Sequence, residues 1–258
     1  MGTKVTIFLY ICKQMTQKQI QQHNKSVMKS IQINLSKSSE DLTGKSKWWG
    51  QPDLPDGMSI PMIEYEDGED DPMTMVCQIR CADLAPIDPD NLLPHEGMLY
   101  FFADIDQFVG ALHKERFGDE DEEEEPYDEE EEVYDDYEGN GLGEWAEDAF
   151  RVLYSPTDQG LEAHTIIGPD GEPYGLPAEK ITLKASDNLV DNGFYLLGAP
   201  YYEEIREWYP EYVNLLQIDE NDDWGMTFYD CGMINFLIKP EDLKARKFEN
   251  AMVYFHSL

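Results

Sequence analysis

The chain has 258 residues, enough for one large domain or two small ones and for a substantial buried core. Hydrophobic residues make up 41% and aromatics 12%, which predicts a globular fold even though 54 acids against 19 bases give a net charge of −35. Binding to nucleic-acid phosphates requires a basic face, so this charge argues against nucleic acid and favours a basic protein partner.

Residues 1–44 are predicted to form a basic N-terminal arm or strand extension. Residues 1–47 carry eight lysines against Glu40 and Asp41. The apolar run at 5–12 is too short to span a bilayer and lacks a small-residue cleavage site, so it is predicted to be a strand. Because no membrane segment is expected, the predicted location is cytoplasmic.

Short apolar runs separated by Gly and Pro dominate the rest of the chain and indicate strands. The predicted strands are 31–35, 73–79, 97–104, 149–156, 163–168, 180–185, 213–218, 226–230, 232–238 and 251–256. Helices are fewer and are predicted at 105–117, 202–208 and 241–246, the last with Pro240 at a position that suits the first helical residue. This balance predicts a strand-dominated α+β fold with a few short helices.

Residues 119–138 form an acidic tract that contains 15 acids and no base. Like charges at this density repel one another, and the tract has almost no apolar surface to bury. It is therefore predicted to be a solvated, low-complexity insertion in the domain.

Three short segments recur in the same order in the two halves of the chain. They are "WGQP" (49–52) with "LGAP" (197–200), "MVCQI" (75–79) with "NLLQI" (214–218), and "GMLYFFADIDQF" (97–108) with "GMINFLIKPEDL" (232–243). These echoes predict one domain over 45–258 in which related halves, about 46–108 and 194–243, form small antiparallel sheets with pseudo-two-fold symmetry. Two unrelated hairpins in a strand-rich protein are the alternative.

Several blocks of the sequence resemble the YwqG-like family, a domain family of unknown function. The blocks are "WWGQPDLPDG", "MTMVCQIRCADLAP", "LPHEGMLYFFAD", "FRVLYSP" and "NLLQIDENDDWGMTFYDCGMINFLIKPEDLKARKFENAMVYF". The resemblance covers about 45–258, although Tyr229-Asp230-Cys231-Gly232 replaces the usual Gly-Asp pair. It implies an internally duplicated α+β fold found mostly in bacteria, and it supplies no established activity or catalytic residues.

Motifs that carry catalysis are missing from the sequence. It has no G-x-S-x-G elbow, no H-E-x-x-H pair and no P-loop, and "GNGLGE" (139–144) lacks the third glycine of a dinucleotide-binding loop. The loop at 219–230 begins like a calcium site, but Trp224 stands where a calcium loop needs Gly. We therefore predict no catalytic residues, no metal and no cofactor, and we favour a protein without enzymatic activity.

Aromatic and acidic residues concentrate near the two Gly-x-Pro turns and the 219–225 loop. In one hypothesis they converge in a cleft, whereas in the other the aromatics only cap two small sheets. The leading functional prediction is a binding module with an acidic surface for a basic protein, such as an immunity or antitoxin protein. The alternative is a small-ligand or calcium-binding protein, or a hydrolase, that uses the cleft. The predicted binding residues are Trp49, Asp53, Tyr201, Tyr202, Trp208, Asp219, Asp223, Trp224 and Asp230.

Overall fold

A computed structural model describes residues 29–64, 70–105, 143, 144, 147, 149–168, 171–224, 226, 228 and 232–257. Within these ranges the strands are β1 (Ser30–Lys37), β2 (Lys47–Trp48), β3 (Asp53–Pro55), β4 (Met62–Glu64), β5 (Asp70–Pro72), β6 (Thr74–Arg80), β7 (Met98–Ala103), β8 (Gly143–Glu144), β9 (Phe150–Ser155), β10 (Leu161–Ala163), β11 (Glu179–Ser186), β12 (Tyr195–Leu196), β13 (Val213–Asp219), β14 (Met233–Ile238) and β15 (Met252–His256). The helices there are α1 (Glu203–Trp208) and α2 (Pro240–Ala245), with 3-10 turns at Cys81–Asp83, Asp222–Trp224 and Phe248–Asn250.

Most of these strands join one antiparallel sheet with the order β8-β15-β14-β13-β12-β1-β11-β2-β6-β7-β9. Outwards from the central β1–β11 pair, β12, β13, β14 and β15 on one side correspond to β2, β6, β7 and β9 on the other. The two central strands are exchanged between the halves. β1 precedes β2 in the chain but pairs with β12, and β11 precedes β12 in the chain but pairs with β2. The sheet therefore has a pseudo-two-fold axis between β1 and β11.

The turns that follow β2 and β12 have the same unusual backbone conformation. Trp49 and Gly50 have φ angles of 56° and 77°, and their counterparts Leu197 and Gly198 have φ angles of 60° and 86°. A Cβ on Gly50 would lie 2.7 Å from the Cβ of Ala178, so this turn requires glycine for both space and conformation. The shared geometry explains why "WGQP" and "LGAP" resemble each other.

The sheet curves until it is nearly closed, and its two halves face each other across one core. At the centre, the rings of the symmetry-related Phe101 and Phe236 lie 5.4 Å apart, centroid to centroid. The outer face of β6 and β7 is covered by two small sheets, β3–β10 and β4–β5, around Met73 and Tyr100. The outer face of β14 and β15 is covered by α1 through Ile205.

The predicted strand-dominated α+β fold with an internal pseudo-two-fold relation is confirmed. Two predicted strands are wrong. The predicted strand 163–168 does not form, since β10 ends at Ala163. Ile166 is instead buried in the cluster beneath the small sheets. Within 226–230, Met226 makes an isolated bridge and the buried Phe228 has a φ of 49°, so the described residues form a turn.

Other predictions concern residues that the structure does not describe, or a segment that has a different place in the fold. The predicted strand at 5–12, the acidic tract 119–138 and residues 106–117 of the first predicted helix lie outside the described residues. The segment predicted as an N-terminal extension contributes β1 to the middle of the large sheet. The domain boundaries themselves stay a prediction.

Candidate functional site

The structure brings the aromatic residues of the first turn and the 219–225 loop together inside the core. Trp49 is 1% exposed, and its ring centroid lies 5.2 Å from that of Trp224. Trp48 stacks on Trp224 at 5.9 Å, and Phe194 from the second half contacts both rings. The Trp224 indole N–H donates to Glu179 over 2.9 Å. This cluster joins the two halves near the pseudo-two-fold axis.

Asp53 lies in a separate, buried polar network. Its Oδ2 atom accepts hydrogen bonds from the Lys47 Nζ at 2.7 Å, the Gln78 Nε2 at 2.6 Å and the Gly44 N–H at 2.9 Å. Its carbonyl oxygen accepts the Tyr100 hydroxyl at 2.7 Å. The side chains of Lys47 and Asp53 are 6% and 0% exposed, so this ion pair links β2 to β3 out of contact with solvent.

Two predicted site residues of the 219–230 segment, Asp219 and Asp223, have different surroundings. Asp219 accepts the Gly193 N–H at 2.6 Å, and burial raises the pKa of its carboxyl above the usual value. Asp223 is exposed, with its N–H bound to the Asn221 side chain, and Asp230 lies outside the described residues. Among the residues that the structure describes, no three or more His, Cys, Asp or Glu are grouped so that they could hold a metal ion.

The buried thiols Cys77 and Cys81 give the first testable expectation. Burial raises the pKa of Cys77 well above its usual value and that of Cys81 to about 12. Only the thiolate is nucleophilic, and at pH 8 it is roughly one part in ten thousand of a thiol with such a pKa. In a Cys12→Ser/Cys231→Ser background, dithionitrobenzoate is expected to label less than about a tenth of these thiols in one hour. Complete labelling in 8 M urea is the control, and equally rapid labelling without urea would contradict burial.

Three further predicted residues, Tyr201, Tyr202 and Trp208, lie on or beside α1. This helix packs on the outer face of β14 and β15 by burying Ile205 against Leu237. Arg206 in its last turn donates to the carbonyl oxygens of Pro200, at 2.6 Å, and Tyr201. The exposed side of α1 is nevertheless net negative, because Glu203, Glu204 and Glu207 outnumber Arg206.

The exposed side of α1 carries an aromatic surface. Trp208 is 61% exposed and Tyr201 is 42% exposed. The Trp208 ring packs edge-on against the Tyr254 ring, with their centroids 6.0 Å apart, and the Tyr209 ring lies 5.5 Å from the Tyr254 ring. We call this surface the aromatic face, and it consists of Tyr201, Tyr202, Trp208, Tyr209, Tyr212 and Tyr254.

Carboxylates surround the aromatic face. The Tyr209 hydroxyl donates to the Glu144 carboxylate, and burial together with this contact raises the pKa of Tyr209. Burial also raises the pKa of Tyr254, assisted by the charges of Glu144 and Glu204. These phenols are therefore neutral at physiological pH in a negative local field. The exposed carboxylates in and directly after α1 are Glu203, Glu204, Glu207 and Glu211.

A groove of about 790 Å³ continues from the aromatic face. It lies between the edge strand β9 on one side and the 3-10 turn Phe248–Asn250 with the start of β15 on the other. Tyr212 belongs to both the groove and the aromatic face, and the groove residue Glu144 accepts the Tyr209 hydroxyl of that face. In the part of the chain that the structure describes, the groove thus lies where the curved sheet does not close.

The sequence predictions miss Tyr212, Tyr254, Glu144 and the groove. Tyr254 lies within the predicted strand 251–256 and Tyr212 directly before the predicted strand 213–218, and neither position indicates that its ring lies on the outer face. The segment "YYEEIREWYPEY" (201–212) is the signal that was available, since it alternates aromatic and acidic residues. The binding roles of the nine predicted residues stay predictions.

The described residues include no helix that is both long and apolar enough to cross a membrane. A comparison with curated protein sequences finds no significant match. A family model described as Domain of unknown function (DUF1963) matches residues 46–256. That range contains both related halves, the aromatic face and the groove, so the chain belongs to the DUF1963 family.

Proposed function

We propose that this protein is a non-enzymatic binding module that captures a basic protein partner through the aromatic face. The partner is attracted by the excess of acids over bases and is then held by exposed aromatic rings. Charge complementarity mainly accelerates and selects association, whereas buried aromatic anchors supply most of the affinity. In this surface the negative charge therefore attracts the partner, and the aromatic rings hold it.

Trp208 is the observation that carries the proposal. Its ring is the most exposed of the large hydrophobic side chains in the described part of the chain, at 61%. Tryptophan is among the residues that most often dominate binding energy at interfaces. Tyr254 supports one side of the ring, so little side-chain entropy remains to be lost on binding.

The electrostatic setting of this face favours a cation. Four exposed glutamates lie within 203–211, while the Arg206 guanidinium is occupied by backbone carbonyls. One cation already lies on a ring of the face, because the Lys239 Nζ is 5.5 Å from the centre of Tyr212. A lysine or arginine from a partner would gain both attraction to the glutamates and cation–π contact with the rings.

A cytoplasmic module of the YwqG-like type would suit this activity. In the version we propose, the acidic face masks a cationic protein, as an immunity or antitoxin protein does. The net charge of −35 steers a cationic partner towards the chain as a whole. The aromatic face then sets where that partner docks.

Substituting Trp208 with alanine is expected to weaken partner binding by about 2 kcal/mol, or roughly 30-fold in Kd. The immobilised full chain first retains proteins from a lysate of the source cell, and the retained protein with the highest pI is purified. Its affinity for wild type and Trp208→Ala is then measured by calorimetry. Raising the salt concentration from 50 to 500 mM should slow its association at least about tenfold.

Ile167→Ala is the matched control, since Ile167 is 46% exposed on the other half of the molecule. This variant should bind like wild type. The proposal fails if the retained proteins are not basic, or if Trp208→Ala and Ile167→Ala bind equally well. Binding whose rate does not respond to salt would also contradict it.

A further inference from the structure

The outer edge of β9 offers a row of main-chain groups to the groove. Among the described strands β9 pairs with β7 alone, and the Asp104 N–H donates to the Ala149 carbonyl over 2.8 Å at the start of this pairing. Antiparallel strands use alternate residues for such bonds. The main-chain groups of Phe150, Val152 and Tyr154 therefore point away from β7, and Phe150 and Val152 line the groove.

Of these three residues, Phe150 is the one whose carbonyl oxygen is bound by a side chain in the described part of the chain. The Arg151 Nη1 donates to the Phe150 carbonyl at 2.7 Å and to the Glu147 carbonyl at 2.6 Å. Within the described ranges, nothing hydrogen-bonds to the main chain of Val152 or Tyr154 on the groove side. The part of β9 that lines the groove, Phe150 to Leu153, is about 10 Å long, which matches a strand of about four residues.

The charge of the groove defines what would pair with this edge. Its acidic lining residues Glu144, Glu147 and Glu249 are exposed, and among its described lining residues the one basic residue is Arg151. Because these three carboxylates outnumber the Arg151 guanidinium, the described lining of the groove is net negative. A second copy of this chain would carry another −35 charges to the same edge, so self-pairing is opposed by repulsion.

We infer that the groove binds an extended, lysine- or arginine-rich segment of the partner protein, which adds to β9 as a further strand. Main-chain hydrogen bonds to β9 supply the pairing, and the glutamates select basic side chains. The inference rests on the proposed function, because the groove continues the aromatic face through Tyr212 and Glu144. Beyond the proposed function, the inference states that the recognised part of the partner is a basic segment and that this segment is extended.

The probe is a fluorescein-labelled peptide of alternating lysine and valine, seven residues long, whose binding to the full chain is followed by anisotropy. The side chains of a strand alternate between its two faces, so this peptide presents one basic and one apolar row. Two further peptides carry N-methyl groups on all valines or on all lysines, which removes the N–H donors from one edge or the other. We expect saturable binding of the unmodified peptide and a loss of at least about tenfold for one of the methylated peptides.

Charge selection is tested with the Glu147→Lys/Glu249→Lys variant, which should bind the unmodified peptide at least about tenfold more weakly at 50 mM salt. Glu162→Lys changes an exposed acid on β10 and should alter the affinity less than about twofold. An alternating glutamate–valine peptide should not bind. A far-ultraviolet spectrum confirms that each variant is folded, so a loss of binding reports on the groove.

The inference is overturned if both methylated peptides bind like the unmodified one, or if the charge-reversal variant binds like Glu162→Lys. Sedimentation that shows a dimer whose affinity depends on the β9 edge would also overturn it, since the occupant would then be a second copy. If Trp208→Ala weakens binding of the basic partner while the groove changes have no effect, the inference fails and the proposed function stands.

Discussion

Replacing Lys47 with methionine is expected to lower the free energy of unfolding by about 3–5 kcal/mol. The substitution keeps most of the length of the side chain and removes the ammonium group, so packing changes little. What it leaves behind is the carboxylate of Asp53, which is 0% exposed. A buried charge without its counter-ion is costly, because its attraction to the partner no longer offsets the loss of hydration.

Urea denaturation followed by tryptophan fluorescence measures this change. Lys180→Met is the matched control, since Lys180 pairs with Glu40 at 3.0 Å but is 38% exposed. Exposed ion pairs contribute little, so the control should lose less than about 1 kcal/mol. Equal losses in the two variants would show that Asp53 does not depend on Lys47.

A second substitution tests the cause of the loss. Lys47→Met/Asp53→Asn removes both charges, and an asparagine oxygen can still accept from Gly44 and Gln78. This double variant should therefore recover part of the stability lost in Lys47→Met. If the double variant is less stable than the single one, the loss must come from packing around residue 47 rather than from the stranded carboxylate.

Patterns in the sequence account for most of the strands but only part of their arrangement. Apolar runs such as 213–218 and 232–238 become β13 and β14, because residues on both faces of these strands are buried. The short echoes also predict the pseudo-two-fold relation. The central β1–β11 pairing could not be predicted from these patterns. The two strands lie far apart in the chain, and neither belongs to one of the repeated segments.

Burial separates the predicted site residues in a way that composition does not reveal. Trp49 and Trp208 are the same residue type, yet one is 1% and the other 61% exposed. The difference arises because Trp49 packs inside the core against Trp224, whereas Trp208 stands at the end of α1 on the outer face of the sheet. Nothing in the local sequence of either segment specifies on which side of the sheet its tryptophan lies.

The groove could not be predicted for a related reason. Sequence periodicity indicates that 149–156 is a strand, but it does not show that this strand is at an edge. The edge exists because the sheet, in the part of the chain that the structure describes, stops short of closing between its end strands β9 and β8. Such a gap depends on strand number, curvature and the connections between strands together.

The two glutamines of the echoed strands should contribute similarly to stability, and each is expected to be essential to its half. Gln217 Nε2 donates to the carbonyl oxygens of Asp191, at 2.9 Å, and Gly193, at 3.0 Å, while its Oε1 accepts the Tyr201 N–H at 3.1 Å. The Asn235 side chain also donates to this oxygen, at 3.3 Å. The residue thereby connects β13 to both ends of β12.

Gln78 makes the corresponding bonds in the first half. Its Nε2 donates to the carbonyl oxygen of Lys45 at 2.9 Å, and its Oε1 accepts the Asp53 N–H at 2.9 Å. The positions match those around Gln217, because Lys45 and Asp53 precede and follow β2 as Gly193 and Tyr201 precede and follow β12. Each strand also carries a bulge at the same place, three residues before its glutamine.

Gln217→Leu and Gln78→Leu are each expected to lower the free energy of unfolding by about 3–4 kcal/mol, since several main-chain groups lose their partners at once. Leucine has nearly the volume of glutamine, so the loss reports on hydrogen bonding. Gln159→Leu, at an exposed position, should cost less than about 0.5 kcal/mol in the same urea titration. A cost below about 1 kcal/mol for only one of the buried glutamines would mean that water replaces its bonds there. The two halves would then share a fold without sharing the interactions that stabilise it.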